Sequence, residues 1–241
     1  MLELKNICFS ARDEQEDGDT EKEILCDVSL ELDNSFIALT GPNGGGKSTL
    51  AKVIAGIYRP QSGKIYLDGE DITGLSVTER AKKGISFAFQ QPVRFKGITV
   101  RDLLRIAAGR PLTREEVSAY LTQVGLHADE YIDREVNASL SGGELKRVEI
   151  ATILARSTRV SVFDEPEAGI DLWSFNSLIS VFEELHSRLN GTILIISHQE
   201  RILNIADRIV VLADGRVQKE GGREILPELL KATYPVTGGA K

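Results

Sequence analysis

The stretch SFIALTGPNGGGKSTL, residues 35–50, constrains the chain more than any other. An apolar run of strand length, 35–41, enters a glycine loop, and a helix is predicted from Lys47 to about Ile57. The loop fits G-x-x-x-x-G-K-[ST] at Gly41, Gly46, Lys47 and Ser48. A bare backbone lets several N–H groups point at phosphate oxygens. Glycine permits the dihedrals and the close approach, and the helix start adds its positive end. Asn43, Gly44, Gly45 and Thr49 belong to the same cradle. Lys47 is expected to reach the terminal phosphates of a nucleotide, and the Ser48 hydroxyl to ligate Mg²⁺.

Around this unit the chain reads as an α/β protein of 241 residues, with one core and an inserted lobe. LELKNICF and ILCDVSLEL alternate apolar and polar residues, as an antiparallel N-terminal sheet does. The acidic segment 12–23 between them departs from a calcium loop at Gln15 and Ile24, and reads as a solvated hairpin tip. Cys8 and Cys26 lack metal-site spacing and are expected to be small buried hydrophobes. GKIYLDGEDI (63–72) reads as a hairpin, SVTER as a helix start, and GISFAFQ (84–90) as a strand. From 91 to 157 the texture turns helical. Strands and helices then alternate through VSVFDE, 174–189, TILIIS and RIVVLADG, which implies a parallel sheet. The core is expected at 1–90 and 158–241, with the helical subdomain at 91–157 and a frayed tail, YPVTGGAK.

The net charge of −7 gives no general attraction to nucleic acid or to anionic lipid. No apolar run reaches the ~18–20 residues needed to span a bilayer, and MLELKN resembles no signal peptide. A cytoplasmic chain without direct membrane insertion is the simplest expectation. VSVFDEP places two adjacent acids at the end of an apolar strand. Asp164 is expected to hold Mg²⁺ and Glu165 to orient or deprotonate an attacking water.

With these motifs in view, the chain resembles the ATP-binding-cassette (ABC) ATPases. LSGGE at 140–144 matches their signature, FQ at 89–90 their Q-loop, AGID at 168–171 their D-loop and SH at 197–198 their switch histidine, all in family order. The resemblance implies a P-loop fold with a mixed sheet core, ATP and Mg²⁺ as ligands, and a head-to-tail dimer with two nucleotides between the chains. Ser141, Gly142 and Gly143 would then touch the γ-phosphate bound by the other subunit. Gln90 would link the metal and the attacking water to the helical lobe, His198 would contact the γ-phosphate, and Asp171 would lie at the dimer interface. SGGE is itself a capping box from Ser141 to Glu144, but glycine in a first helical turn costs up to ~1 kcal/mol relative to alanine. The two glycines make sense where something approaches the backbone closely. His127 and His186 have no comparable setting and are expected at the surface.

Most members place an aromatic ring against adenine just after the first strand. Here that position is Ala11, and Phe9 is expected to face the core. In this, and in FAFQQPV, REVNASLSGGELKR and HQERILNIAD, the chain resembles the SufC branch, cytosolic ATPases of iron–sulfur cluster assembly; Gln199 replaces the branch's tyrosine, and DEPEAGID its serine-rich run. That likeness implies a SufB-like scaffold as partner. The alternative is the energising subunit of a membrane transporter, with a transmembrane permease docked near Val93, Phe95 and Ile98. A nucleotide-gated module without turnover fits poorly with intact Lys47, Asp164, Glu165 and His198.

Overall fold

The computed structural model describes residues 1–12, 21–91, 93–137, 139–188 and 191–233. Most of the acidic hairpin tip and the tail from residue 234 lie outside these. The strands form two sheets. In the first, β1 (Leu2–Arg12), β2 (Glu21–Leu32), β4 (Ser62–Leu67) and β5 (Glu70–Asp71) pair antiparallel in the order β2-β1-β4-β5. The second comprises β3 (Phe36–Thr40), β6 (Ile85–Ala88), β7 (Val160–Asp164), β8 (Thr192–Ile196), β9 (Arg208–Ala213) and β10 (Arg216–Gly221), ordered β10-β9-β3-β8-β7-β6. All its pairings are parallel except the β10–β9 edge. β10 has no apolar pattern to announce it, because its side chains are mostly polar, as suits an edge strand exposed to water.

The central sheet is buried on both faces, so its strands are apolar throughout and their residues divide by parity. Ile37, Leu39, Val162, Leu194 and Ile196 join the core that holds α1 (Lys47–Ala55) between the two sheets. Phe36, Ala38, Phe163, Ile193 and Ile195 face the other core, with α7 (Leu172–Arg188) and α8 (Glu200–Ile205). That second core continues into α3 (Val100–Ala108), α4 (Arg114–Gln123), the short α5 (Ala128–Tyr131) and α6 (Gly142–Arg156), which run between β6 and β7. A closing helix, α9 (Leu226–Thr233), follows β10. Ser161, the polar residue inside β7, shares a buried 2.6 Å hydrogen bond with Thr158.

Helix starts follow the sequence closely. Ser76 and Thr99 close capping boxes with Glu79 and Asp102 at the starts of α2 (Val77–Lys82) and α3. Arg80 of α2 is fully buried. Its guanidinium donates to the carbonyls of Val53 and Ile54, at 2.6 and 2.8 Å, and of Thr73, at 2.9 Å. A cation thus sits on the last turn of α1, where the helix dipole is negative. Arg80→Met keeps the aliphatic packing but strips these carbonyls of their donor. At about 1–3 kcal/mol for each buried group left unsatisfied, it is expected to cost roughly 3 kcal/mol or more, read as a lower urea midpoint.

One expectation fails here. Cys8 and Cys26 are half-exposed rather than buried. The β1–β2 ladder slips between Leu4 and Ile7, Ile7 and Phe9, and Phe9 and Ser10, so simple alternation misplaces the side chains between these points. His186 is at the surface, as expected, but is held there: its ring stands edge-on to Phe36 and its Nε2 lies 3.2 Å from Asp207. His127 is exposed, as expected.

Candidate functional site

The carboxyl ends of β3, β6, β7 and β8 lie side by side, and each delivers one part of the site. Such an edge is where open parallel sheets receive ligands. From β3 the chain enters the glycine loop. Gly41 has φ 132°, and a Cβ there would sit 2.0 Å from the Leu212 carbonyl of β9, so no other residue fits. Gly46 caps α1 in the left-handed conformation, with φ 97°. No side chain caps this end and no acid occupies its first turn, which leaves the amides and the positive dipole end open to an anion. The Lys47 Nζ donates to the carbonyls of Gly41 and Pro42, 2.8 Å each, and so holds the loop closed over its own side chain. Burial draws the Lys47 pKa below the ordinary lysine value, against the opposing pull of Glu165 and Asp164. A cavity of about 500 Å³ opens here, lined by Lys22, Ile24, residues 43–49 and Glu165.

β7 delivers the acidic pair. The Ser48 hydroxyl donates to Asp164 at 2.9 Å, across the width of β8. Burial raises the Asp164 pKa, and the Ser48 hydrogen bond opposes it. A hydroxyl and a carboxylate in contact suit a hard divalent cation. Among the described residues no cluster of three or more His, Cys, Asp or Glu could hold a metal by itself. Magnesium takes one or two protein oxygens and completes its shell from phosphates and water, so Ser48 and Asp164 could hold it. Glu165 has φ 43°, a left-handed conformation that costs on the order of 1–3 kcal/mol. Gln90, just past β6, donates to the Glu165 carboxylate at 2.7 Å. His198, just past β8, places Nε2 3.9 Å from Glu165. Burial and the Lys47 charge lower the His198 pKa, with Glu165 opposing, which favours the neutral imidazole at pH 7.

Lys47, Ser48, Asp164, Glu165, Gln90 and His198 therefore meet in one place. The signature residues do not join them. Ser141 and Gly142 are exposed, and neither they nor Gly143 line the cavity. Ser141 closes its capping box with Glu144, whose carboxylate accepts from the Ser141 N–H at 2.6 Å. A Cβ on Gly142 would meet the Gly169 carbonyl at 3.3 Å, so part of the glycine requirement lies inside the chain, against the segment that leads to Asp171.

Two supporting groups escape a reading of the sequence. Glu167, buried enough to raise its pKa, accepts from the Ser197 hydroxyl, which in turn accepts from the Gln199 N–H, so the turn carrying His198 is fixed from both sides. Lys146 of α6 is only 1% exposed. It donates to the Phe89 carbonyl at 2.6 Å and to Glu149 at 2.8 Å. The Phe89 N–H also helps to hold the Glu149 pKa down. The pair grips the peptide just before Gln90.

Beside this clamp an apolar cavity of about 230 Å³ opens between β6 and the helices α3 and α6. Phe89, Val93, Phe95, Ile106 and Val148 are among its walls, with Val93 49% and Ile106 66% exposed. Val93 and Phe95 share this wall. Ile98 is not in the wall: it is partly buried, and its carbonyl accepts from the Val136 N–H. Among the described residues no helix is long and apolar enough to cross a membrane.

Residues 25–168 match the family model described as ABC transporter. The chain is 38% identical over 219 residues to the ABC transporter ATP-binding protein MJ0035 of Methanocaldococcus jannaschii, covering 87% of each. It is 35% identical to the probable ATP-dependent transporter slr0075 of Synechocystis, covering 97% of this chain and 94% of that one. Among solved structures, the dimeric ATP-binding cassette MJ0796 in a post-hydrolysis state bound to ADP and Pi superposes with a TM-score of 0.80 at 24% identity, over 92% of this chain and 98% of that one, a likeness of fold. The chain belongs to the ABC transporter family and is an ATPase of the ATP-binding-cassette type.

Proposed function

We propose that two copies of this chain close head to tail over two ATP molecules and that the closure drives a membrane transporter. One observation carries the pairing. The phosphate loop and the acid–Gln–His group form one half of a site, while Ser141 and Gly142 are exposed elsewhere on the same chain. A second copy supplies the missing half. In this reading the loop amides and Lys47 hold the β- and γ-phosphates. Ser48 and Asp164, with Gln90 nearby, hold Mg²⁺, which when bound neutralises phosphate charge. Glu165 takes the proton of the attacking water, and neutral His198 contacts the γ-phosphate. The partner's Ser141, Gly142 and Gly143 complete the γ-phosphate contacts, with Asp171 at the seam.

The transporter role is supported by the names of the relatives from Methanocaldococcus and Synechocystis and by the apolar cavity next to Gln90, which suits a segment of a permease. A second reading, a SufC-like ATPase acting on a SufB-like scaffold, is favoured by the base-side position Ala11, which carries no ring. Co-purification from native cells separates them. An integral membrane protein retained with the chain supports the first; a soluble scaffold retained in the membrane-free fraction replaces it with the second. Lys47→Ala tests the site itself. It is expected to weaken ATP binding at least tenfold by equilibrium titration, since a charge-assisted phosphate contact contributes about 1.5–3 kcal/mol; unchanged affinity would overturn the assignment.

A further inference from the structure

The chain has two cysteines, Cys8 and Cys26, and neither takes part in the phosphate site. The fold brings them together. The β1–β2 register pairs Ile7 with Val28 and Phe9 with Leu25, so Cys8 faces Cys26 and Asp27 across a bulge. Asp27 takes the left-handed conformation there, with φ 57°, and the Asn6 side-chain amide pins it by donating to its carboxylate at 2.6 Å. The Asp27 N–H donates to the Cys8 Sγ at 3.2 Å. That nitrogen is bonded to the Cys26 carbonyl carbon, so the Cys8 sulfur stands over the Cys26 peptide. Residues facing across an antiparallel ladder have Cα atoms about 4.5–5.5 Å apart, within the roughly 4.4–6.8 Å that a disulfide spans. Both residues are half-exposed, within reach of a small oxidant. Burial and Glu23 raise the Cys26 pKa, Arg216 lowers it, and Cys8 raises it again, as a neighbouring thiol does.

Cys26 is also tied to the phosphate loop. Its N–H donates to the Gly215 carbonyl at 2.9 Å, and the Gly215 N–H donates to the Gly45 carbonyl at 3.3 Å. Its sulfur accepts from the Arg216 guanidinium at 2.6 Å. A bond to Cys8 takes that sulfur away from Arg216 and draws the Cys26 peptide toward β1, off the turn that supports Gly45. We propose that Cys8 and Cys26 form a reversible disulfide and that its formation weakens ATP binding. The oxidant is a small-molecule disulfide. One cysteine thiolate attacks one of its sulfurs and expels a small thiolate. The second cysteine thiolate then attacks the mixed disulfide at the protein sulfur and expels the other. Two protein thiols are oxidised, the small disulfide is reduced to two thiols, and the protons of the first pair pass to the second. A bridge formed across a bulge and open to solvent is of the labile, regulatory kind.

The effect on ATP rests on the phosphate-loop assignment proposed above, and the test keeps the two apart. The full chain is incubated with oxidised glutathione and then with dithiothreitol. Its intact mass is expected to fall by two hydrogens and return, and digestion of the oxidised form to yield peptides joined through Cys8 and Cys26. In equilibrium titrations with Mg²⁺, ATP affinity is expected to drop about 2–10-fold on oxidation, the worth of one backbone hydrogen bond, and to recover on reduction. Cys8→Ser and Cys26→Ser, each with a single thiol, are expected to lose the bridge and with it the drop in affinity. Separate glutathione adducts on the two thiols, or a bridge only between chains, overturn the pairing. A Cys8–Cys26 bridge that leaves ATP affinity unchanged, or a drop that persists in both variants, overturns the coupling to the loop. A reduced chain that binds no ATP overturns the phosphate site and not the bridge.

Discussion

Replacing Glu165 with glutamine is expected to lower ATP turnover by about 10²–10⁴-fold while ATP still binds and the chain becomes trapped as a dimer. The substitution is nearly isosteric. A glutamine at position 165 keeps an oxygen able to accept the Gln90 hydrogen bond, now 2.7 Å long, and tolerates φ 43° as glutamate does. What it loses is the capacity to take a proton from water. The phosphate-holding parts, Gly41 to Thr49, are untouched. Removing the Glu165 charge also takes away one influence that raises the Asp164 pKa, so the metal-side carboxylate is easier to keep ionised. Binding is therefore preserved or improved as the chemistry stops. In the proposed cycle hydrolysis is what releases the two copies, so a slow enzyme accumulates the closed state. Phosphate release under saturating ATP and Mg²⁺ measures the first effect, and size-exclusion with ATP the second. A variant that stays monomeric under those conditions would argue against the paired site. One that turns over at the parent rate would remove Glu165 from the chemistry.

How much of this was legible in the sequence depends on whether a feature is local. The glycine loop was, because the signals that mark it adjoin one another in the chain: strand, turn, cation, helix start; the Leu212 carbonyl that presses on Gly41 was not. So were the capping boxes of Ser76, Thr99 and Ser141, whose partners are three residues away. The convergence of Gln90, Asp164, Glu165 and His198 was legible one step less directly, since parallel strands put their carboxyl ends on one edge. Features made by tertiary adjacency were not. Ser197 and Glu167 meet because β7 and β8 are neighbours, and nothing in either segment names the other. Cys8 and Cys26 were misread because face assignment assumes an unbroken alternation, and the β1–β2 ladder slips three times. Lys146 was invisible for a different reason. α6 is buried on several sides, so its sequence carries no polar stripe against which an inward lysine would stand out.

That lysine carries the largest expected loss of stability. Lys146→Met is expected to cost about 3–5 kcal/mol, the usual penalty for leaving one member of a buried ion pair without the other. The methionine fills the space of the stem, so packing is nearly conserved and the loss comes from Glu149, whose side chain is 18% exposed, and from the Phe89 carbonyl left without its donor. The loss has a pH signature. Burial already raises the Glu149 pKa, and Lys146 is the main influence holding it down. Without the lysine the folded-state value rises further above that of the unfolded chain. A carboxyl group with a raised folded pKa contributes its full stability below the unfolded value, where it is protonated in both states, and loses it as pH climbs through the folded value. The variant should therefore approach the parent at about pH 5 and fall furthest behind it at about pH 8, near and well above ordinary carboxyl values. Glu149→Gln in the Lys146→Met background removes the orphaned charge and should restore most of the loss at high pH. ATP hydrolysis reports the other half of the role. The clamp fixes the peptide before Gln90, so the single variant should lower kcat with little change in nucleotide affinity, and the double variant, which restores stability without the Lys146 grip on Phe89, should not recover it. Urea unfolding at the two pH values and steady-state kinetics on the three variants distinguish this from a lysine that only packs, for which stability and kcat would recover together and no pH dependence would separate variant from parent.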